Sequence, residues 1–263
     1  MRLGSAVVLV TGATGGIGRA LVDAFSDAGA RLVLSGRRAD VLDGLAANCG
    51  GRAVVADLAD PADLERLCGE AEAADVLVAN AALPASGRLD SFDPAELDRC
   101  IDVNLRAPIR LARAAVPAML SRGRGHVLLV SSLAGVAAAP ESSLYSATKF
   151  GLRGFGLALR QDLAGSGVGV SVLLPGFVRD AGMFADSGAS LPPGVGTRSP
   201  QEVAAAAVSG VERDRAEVVV APAALTAGAY LAGLAPGPAA RVARGIGGDR
   251  VARSIASGQT ARR

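Results

Sequence analysis

The chain has 263 residues, half of them hydrophobic and a fifth charged, with 27 basic and 25 acidic side chains and a net charge of +2. This balance supports a large core, argues against disorder, and gives no electrostatic case for nucleic acid; the lack of Trp argues against a base-stacking platform. Three cysteines (Cys49, Cys68, Cys100) without a CxxC pair read as small buried reduced thiols. With no signal segment and no uninterrupted apolar run of roughly 18 residues, they set the expectation of a cytoplasmic protein.

Apolar runs of strand length occur at 6–10, 31–35, 52–56, 75–79, 125–130, 168–174 and 217–221. Helix-compatible segments separate them, at 16–28, 40–48, 61–71, 94–120, 144–164 and 200–212. Pro61, Pro94 and Pro200 each suit a first helical turn, where a missing N–H costs nothing. Runs apolar on both faces, each followed by a helix, predict a doubly wound parallel sheet of seven strands, an α/β Rossmann fold. Composition changes after about Pro222, dividing the chain into a dinucleotide-binding and catalytic domain, 1–222, and a basic extension, 223–263. Residues 221–263 carry six Arg (241, 244, 250, 253, 262, 263) against one acid, Asp249, a net of +5, which leaves −3 for the rest. The extension reads as an appended helical pair or a partly flexible tail.

Between the first strand and its helix lies Thr11-Gly12-Ala13-Thr14-Gly15-Gly16-Ile17-Gly18. Gly12 permits the turn, Gly16 removes a Cβ that would block phosphates, and Gly18 allows the helix to approach the sheet. The helix N-terminus adds unpaired N–H groups and partial positive charge, so Gly12, Thr14, Gly15, Gly16, Ile17 and Gly18 are candidate dinucleotide contacts. An NAD-preferring site usually carries an acid after the second strand. Here that strand ends Leu34-Ser35-Gly36-Arg37-Arg38, and arginines attract a ribose 2′-phosphate. Arg37 and Arg38 therefore predict NADP(H), with NAD(H) as the alternative.

Lys149 is the single lysine of the chain and lies four residues after Tyr145, so the two share one helix face. A phenol has an unperturbed pKa near ~10. A neighbouring ammonium, together with a positively charged oxidised nicotinamide, favours phenolate and makes Tyr145 a usable proton donor or acceptor at neutral pH. Thirteen residues earlier, Ser131-Ser132 closes an apolar run, and a serine hydroxyl can fix a carbonyl for hydride transfer. His126 reads as a strand-edge residue, not a catalyst. Asp60, Asp63 and Glu65 read as helix N-terminal charges, and no cluster has metal-ligand spacing.

On these motifs the chain resembles the short-chain dehydrogenase/reductase family over residues 5–222. The resemblance assigns Tyr145 and Lys149 to the family's Tyr-x-x-x-Lys pair and Ser132 to its serine. It assigns Asn104, in Val103-Asn104-Leu105, to a helix kink holding a water that links Lys149 to solvent. It further implies cofactor contacts at Asp57 and Leu58, at Asn80 and Ala81, and at Pro175, Gly176 and Val178. Two positions depart from the family pattern: Ala82 replaces a glycine, and Asp180 replaces a threonine that touches the carboxamide.

In the resembled family the stretch 177–199 is a substrate lid. Its interleaved Phe177, Met183, Phe184 and Leu191 imply a hydrophobic ketone, aldehyde or secondary alcohol. Helices 94–120 and 144–164 pair across a two-fold in relatives, which implies a homodimer or homotetramer. For the extension, packing against the body or a neighbour is the favoured expectation. Peripheral contact of an apolar 225–234 segment with a membrane is the alternative. A nucleotide-binding redox sensor without turnover is the rival function; the complete Tyr/Lys/Ser set speaks against it.

Overall fold

The computed structural model describes residues 1–192, 195–245 and 247–260. Seven parallel strands form one sheet in the order β3-β2-β1-β4-β5-β6-β7. They are β1 Val7–Thr11, β2 Arg31–Gly36, β3 Arg52–Val55, β4 Val76–Ala79, β5 Gly125–Val130, β6 Val168–Pro175 and β7 Glu217–Val220. The helices are α1 Gly16–Asp27, α2 Ala39–Cys49, α3 Pro61–Ala73, α4 Pro94–Ile101, α5 Ala107–Arg122, α6 Ser143–Asp162, α7 Met183–Asp186 and α8 Pro200–Glu212. Three more follow β7: α9 Ala223–Leu234, α10 Pro236–Gly245 and α11 Gly248–Gln259. The fold is the expected doubly wound Rossmann sheet.

Successive side chains of a strand point to opposite faces, and both faces here are covered. Val8, Val10, Val76, Val78, Leu128 and Val130 pack with α1, α2 and α8 through Leu21, Phe25, Leu42 and Val203. The intervening Leu9, Leu77, Val127 and Leu129 pack with α3, α5 and α6 through Leu67, Leu111, Met119 and Leu152. The apolar runs are unbroken because neither face meets water.

The segment 94–120, expected as one helix, is interrupted. A π-turn, Asp102–Arg106, separates α4 from α5, with the Ala107 N–H donating to Asp102 O. The extension forms three helices, not a pair, and part of it joins the body. Ala229 of α9 is buried with Leu133, Val136, Val172 and Leu174, and Leu225 and Tyr230 pack beside them. Arg262 and Arg263 lie outside the described residues, as do residues 193 and 194 of the expected lid.

Strand order reverses between β1 and β4, so the helices after these strands diverge to opposite faces. The crevice above that point, at the carboxyl ends of the strands, gathers the residues of interest.

Candidate active site

Gly12 follows β1 in the left-handed region at φ 66°, and a Cβ there would come 2.8 Å from Ala81 Cα. A Cβ on Gly18 would lie 2.1 Å from Gly12 O, so only glycine lets α1 close onto the loop. Thr11 Oγ1 accepts the N–H groups of Asn80 and Ala81, at 3.0 and 3.1 Å. The Asn80 amide donates back to Thr11 O and Gly12 O. Asn80 and Ala81 thus brace the glycine loop from β4. The helix that starts there has Gly15 at its N-cap and no side chain capping it. By contrast α3, α4 and α8 are capped by Asp60, Asp93 and Ser199. An N-terminus left open at a glycine loop suits an anionic ligand, so the residues present fit a dinucleotide pyrophosphate.

Arginines surround the far side of the loop. Arg38 Nη2 donates to Thr14 O in a very short contact, and Arg19 Nε reaches the same oxygen at 3.4 Å. Arg37 and Arg38 are both exposed. Asp57 lies close enough for the Arg37 charge to act on it, and it pairs with Arg99 at 2.7 Å. Burial pushes the Asp57 carboxyl up, but the Arg99 hydrogen bond, the Ala59 N–H and the Arg37 charge together bring it below its usual value. The Leu58 side chain is buried in the core. Only its backbone is available to a ligand.

The end of β5 supplies three consecutive functions. Val130 O accepts from Lys149 Nζ at 2.9 Å. Ser131 Oγ donates to Lys149 O at 2.9 Å and so anchors α6. Ser132 Oγ accepts from Ala134 N–H at 3.1 Å, capping a short 3₁₀ turn, Leu133–Gly135, and reaches Pro175 O at 3.4 Å. Ser132 also lies close enough to the Tyr145 hydroxyl to influence its titration. The resemblance singled out Ser132; Ser131 is the helix anchor, a role no local signal distinguishes.

Lys149 is 2% exposed, and burial brings its pKa down to about 8. Its Nζ lies 5.7 Å from the Tyr145 ring centroid. Burial pushes the Tyr145 phenol above its usual value, while the nearby Ser132 pulls the other way. Desolvation acts on both groups and disfavours both charges.

Asn104 sits inside the π-turn and is 1% exposed. Its Oδ1 accepts from Leu83 N at 2.7 Å and its Nδ2 donates to Leu83 O at 3.0 Å, tying the break in the helix to the loop after β4. Pro175 ends β6, and the Gly176 N–H donates to Val220 O. Val178 is buried and bridges Arg198. Asp180, where the family pattern has threonine, is left-handed at φ 67° and points an exposed carboxylate toward Arg179, 3.4 Å away. It makes a turn there, a conformation Asp tolerates better than β-branched threonine.

His126 lies at the opposite end of the sheet. It is 1% exposed, its Nε2 is 2.9 Å from Ser171 Oγ, and burial brings its pKa down to about 4. A cleft of about 700 Å³ opens beside it, lined by Asp75, Arg124, Arg160 and Asp214 among others. That cleft is at the amino ends of the strands, away from the switch point.

The family model "short chain dehydrogenase" matches residues 6–191. The chain belongs to the short-chain dehydrogenase family. It is 33% identical over 225 residues to a ketoacyl reductase, HetN, from Nostoc sp., covering 81% of this chain and 77% of that protein. It is 32% identical over 258 residues to dehydrogenase/reductase SDR family member 7B of Bos taurus, covering 89% and 78%. A short-chain dehydrogenase from Sphingobium yanoikuyae, solved in complex with NADPH, superposes with a TM-score of 0.78 at 29% identity, covering 89% of this chain and 94% of that one. A bulky-bulky ketone specific alcohol dehydrogenase from Comamonas testosteroni superposes with a TM-score of 0.74 at 26% identity, covering 84% and 89%. As a member of this family the protein is an NAD(P)-dependent oxidoreductase. Among the described residues, no helix is long and apolar enough to cross a membrane.

Proposed function

We propose that this short-chain dehydrogenase interconverts a hydrophobic ketone or aldehyde and its alcohol, with NADP(H) preferred over NAD(H). The observation that carries the reading is Tyr145 beside the buried Lys149, whose Nζ lies 5.7 Å from the phenol ring, with Ser132 close enough to act on the hydroxyl. Tyr145 Oη gives a proton to the substrate oxygen in reduction and takes it back in oxidation. Ser132 Oγ holds that oxygen in place, released from its long 3.4 Å contact with Pro175 O. Lys149, fixed by Val130 O, supports the charge that develops on the phenol and holds the nicotinamide ribose. Asn104 completes a proton relay from the π-turn. The cofactor, when bound, supplies or accepts the hydride; alcohol and oxidised cofactor give carbonyl, reduced cofactor and one proton.

Gly12, Thr14, Gly15, Gly16, Ile17 and Gly18 hold the pyrophosphate in this reading, Asp57 and the Leu58 backbone meet the adenine, and Asn80, Ala81, Pro175, Gly176 and Val178 line the nicotinamide side. Two observations support the preference for NADP(H): Arg37 and Arg38 are exposed at the end of β2, and the Sphingobium relative was solved with NADPH. The hydrophobic substrate is supported by Phe177 and Phe184, whose rings meet at 5.0 Å, and by the ketone specificity named for the Comamonas relative. Rates with NADPH and NADH over a panel of hydrophobic ketones and aldehydes test both points. A lower KM for NADH than for NADPH would remove the arginine argument.

We place the enzyme in the cytoplasm as a homodimer or homotetramer. Cys49, Cys68 and Cys100 form no disulfide, and Leu120 on α5 and Phe150 on α6 are exposed on the helices expected to pair. Light scattering at micromolar concentration tests the assembly; a monomer mass would refute it.

A further inference from the structure

Residues 180–187 run from the turn at Asp180 across the glycine loop into α7. They are seated on the open end of α1: a Cβ on Gly16 would lie 2.3 Å from Ala181 Cβ and 3.0 Å from Gly182 N. Yet α7 has four residues, none of them buried, and no side chain caps it. Apart from the Phe177–Phe184 ring contact, its own packing is slight.

The outer side of α7 is covered by α11. A Cβ on Gly258 would come 2.0 Å from Ser187 O and 2.7 Å from both Ser187 C and Cα, so backbone rests on backbone there. The next residue, Gln259, is 5% exposed and donates from Nε2 to Met183 O at 3.2 Å. Its Oε1 is buried with no hydrogen-bond partner among the described residues. A buried acceptor left unpaired costs stability, so Gln259 is a poor choice for filling space alone. Its donor is what the position uses.

We propose that Gly258 and Gln259 are positioning residues. Through Ser187 and Met183 they hold residues 180–187 on the glycine loop, so that the C-terminal helix sets cofactor affinity from outside the site. The proposal rests on the reading that this loop holds NADP(H).

Three proteins decide it: wild type, Gly258→Val, which pushes α11 away from Ser187, and Gln259→Met, which keeps length and removes both the donor and the unpaired acceptor. Hydrogen exchange of residues 177–192, NADPH titration, steady-state kinetics and thermal melting are measured on each. Both variants are expected to exchange faster at 180–187 and to bind NADPH roughly tenfold more weakly, the scale of one lost hydrogen bond. Their KM for NADPH rises while kcat at saturation stays within about twofold. Gln259→Met is expected to melt no lower than wild type, because it loses an unpaired buried oxygen; a space-filling role would leave affinity and exchange unmoved. Should Gly258→Val fail to fold, Gln259→Met alone decides. Unchanged exchange and NADPH affinity in the folded variants would overturn the proposal. A wild type that binds no NADPH would instead defeat the cofactor reading, and the exchange comparison, which needs no cofactor, would still decide whether α11 holds the segment.

Discussion

Tyr145 and Lys149 occupy one face of α6, and burial pushes the phenol up and the ammonium down, so each neutral form is favoured. Tyr145→Phe deletes the proton donor without changing shape. It is expected to lower kcat by a factor on the order of 10²–10⁴ while NADPH still binds. The lysine has a consequence for stability. Its folded pKa, about 8, lies below its ordinary 10.5, so between these values the unfolded chain binds more protons and stability rises with pH. Below about 8 the burial penalty is constant, and above 10.5 it vanishes. Urea titrations of wild type and Lys149→Met from pH 7 to pH 11 should therefore differ by an amount that shifts in favour of wild type as pH rises; a constant difference would contradict the shift. Arg37 and Arg38 were legible as a pair, but Arg38 also braces Thr14 O. Arg37→Glu is thus the cleaner test, expected to weaken NADPH about tenfold or more and spare NADH. Arg99, 42 residues from Asp57, left no local signal, because an ion pair across elements has no period in the sequence.

The strands were readable because a sheet covered on both faces leaves continuous apolar runs, and the helices because proline and Asp, Glu or Ser gather at their starts. The π-turn was not readable from periodicity; only the resemblance placed a helix kink at Asn104. Residues 102–106 contain neither Gly nor Pro, and the interruption depends on Asn104 meeting Leu83, 21 residues away. Asn104→Ala leaves the buried Leu83 N–H and C=O without these partners. It should cost roughly 1–3 kcal/mol in urea unfolding in addition to any loss of turnover. A variant as stable as wild type would show that the π-turn does not need this side chain.

Alternation of strand and helix implies a parallel doubly wound sheet but not its strand order; the observed order, with the glycine motif, places the site at the β1/β4 switch point. The extension was legible only in outline: packing against the body was the favoured expectation, and Leu225, Ala229 and Tyr230 do complete a core with Leu133 and Val136, just beyond Ser132. Small residues such as those of α9 show no clear apolar stripe, so the buried side could not be read from periodicity. Deleting 223–263 uncovers that core and is expected to lower stability by several kcal/mol, read as a lower melting temperature. A truncated protein that melts like wild type would make 1–222 a self-sufficient domain.

Carbonyl reduction through Tyr145 is tested most directly by one paired measurement: NADPH oxidation over the ketone panel by wild type and Tyr145→Phe, with NADPH binding followed separately. Wild type is expected to turn over at least one hydrophobic carbonyl, Tyr145→Phe to lose nearly all of that turnover, and both to bind NADPH equally. Equal turnover by the two proteins, or none by wild type despite tight NADPH binding, would contradict it.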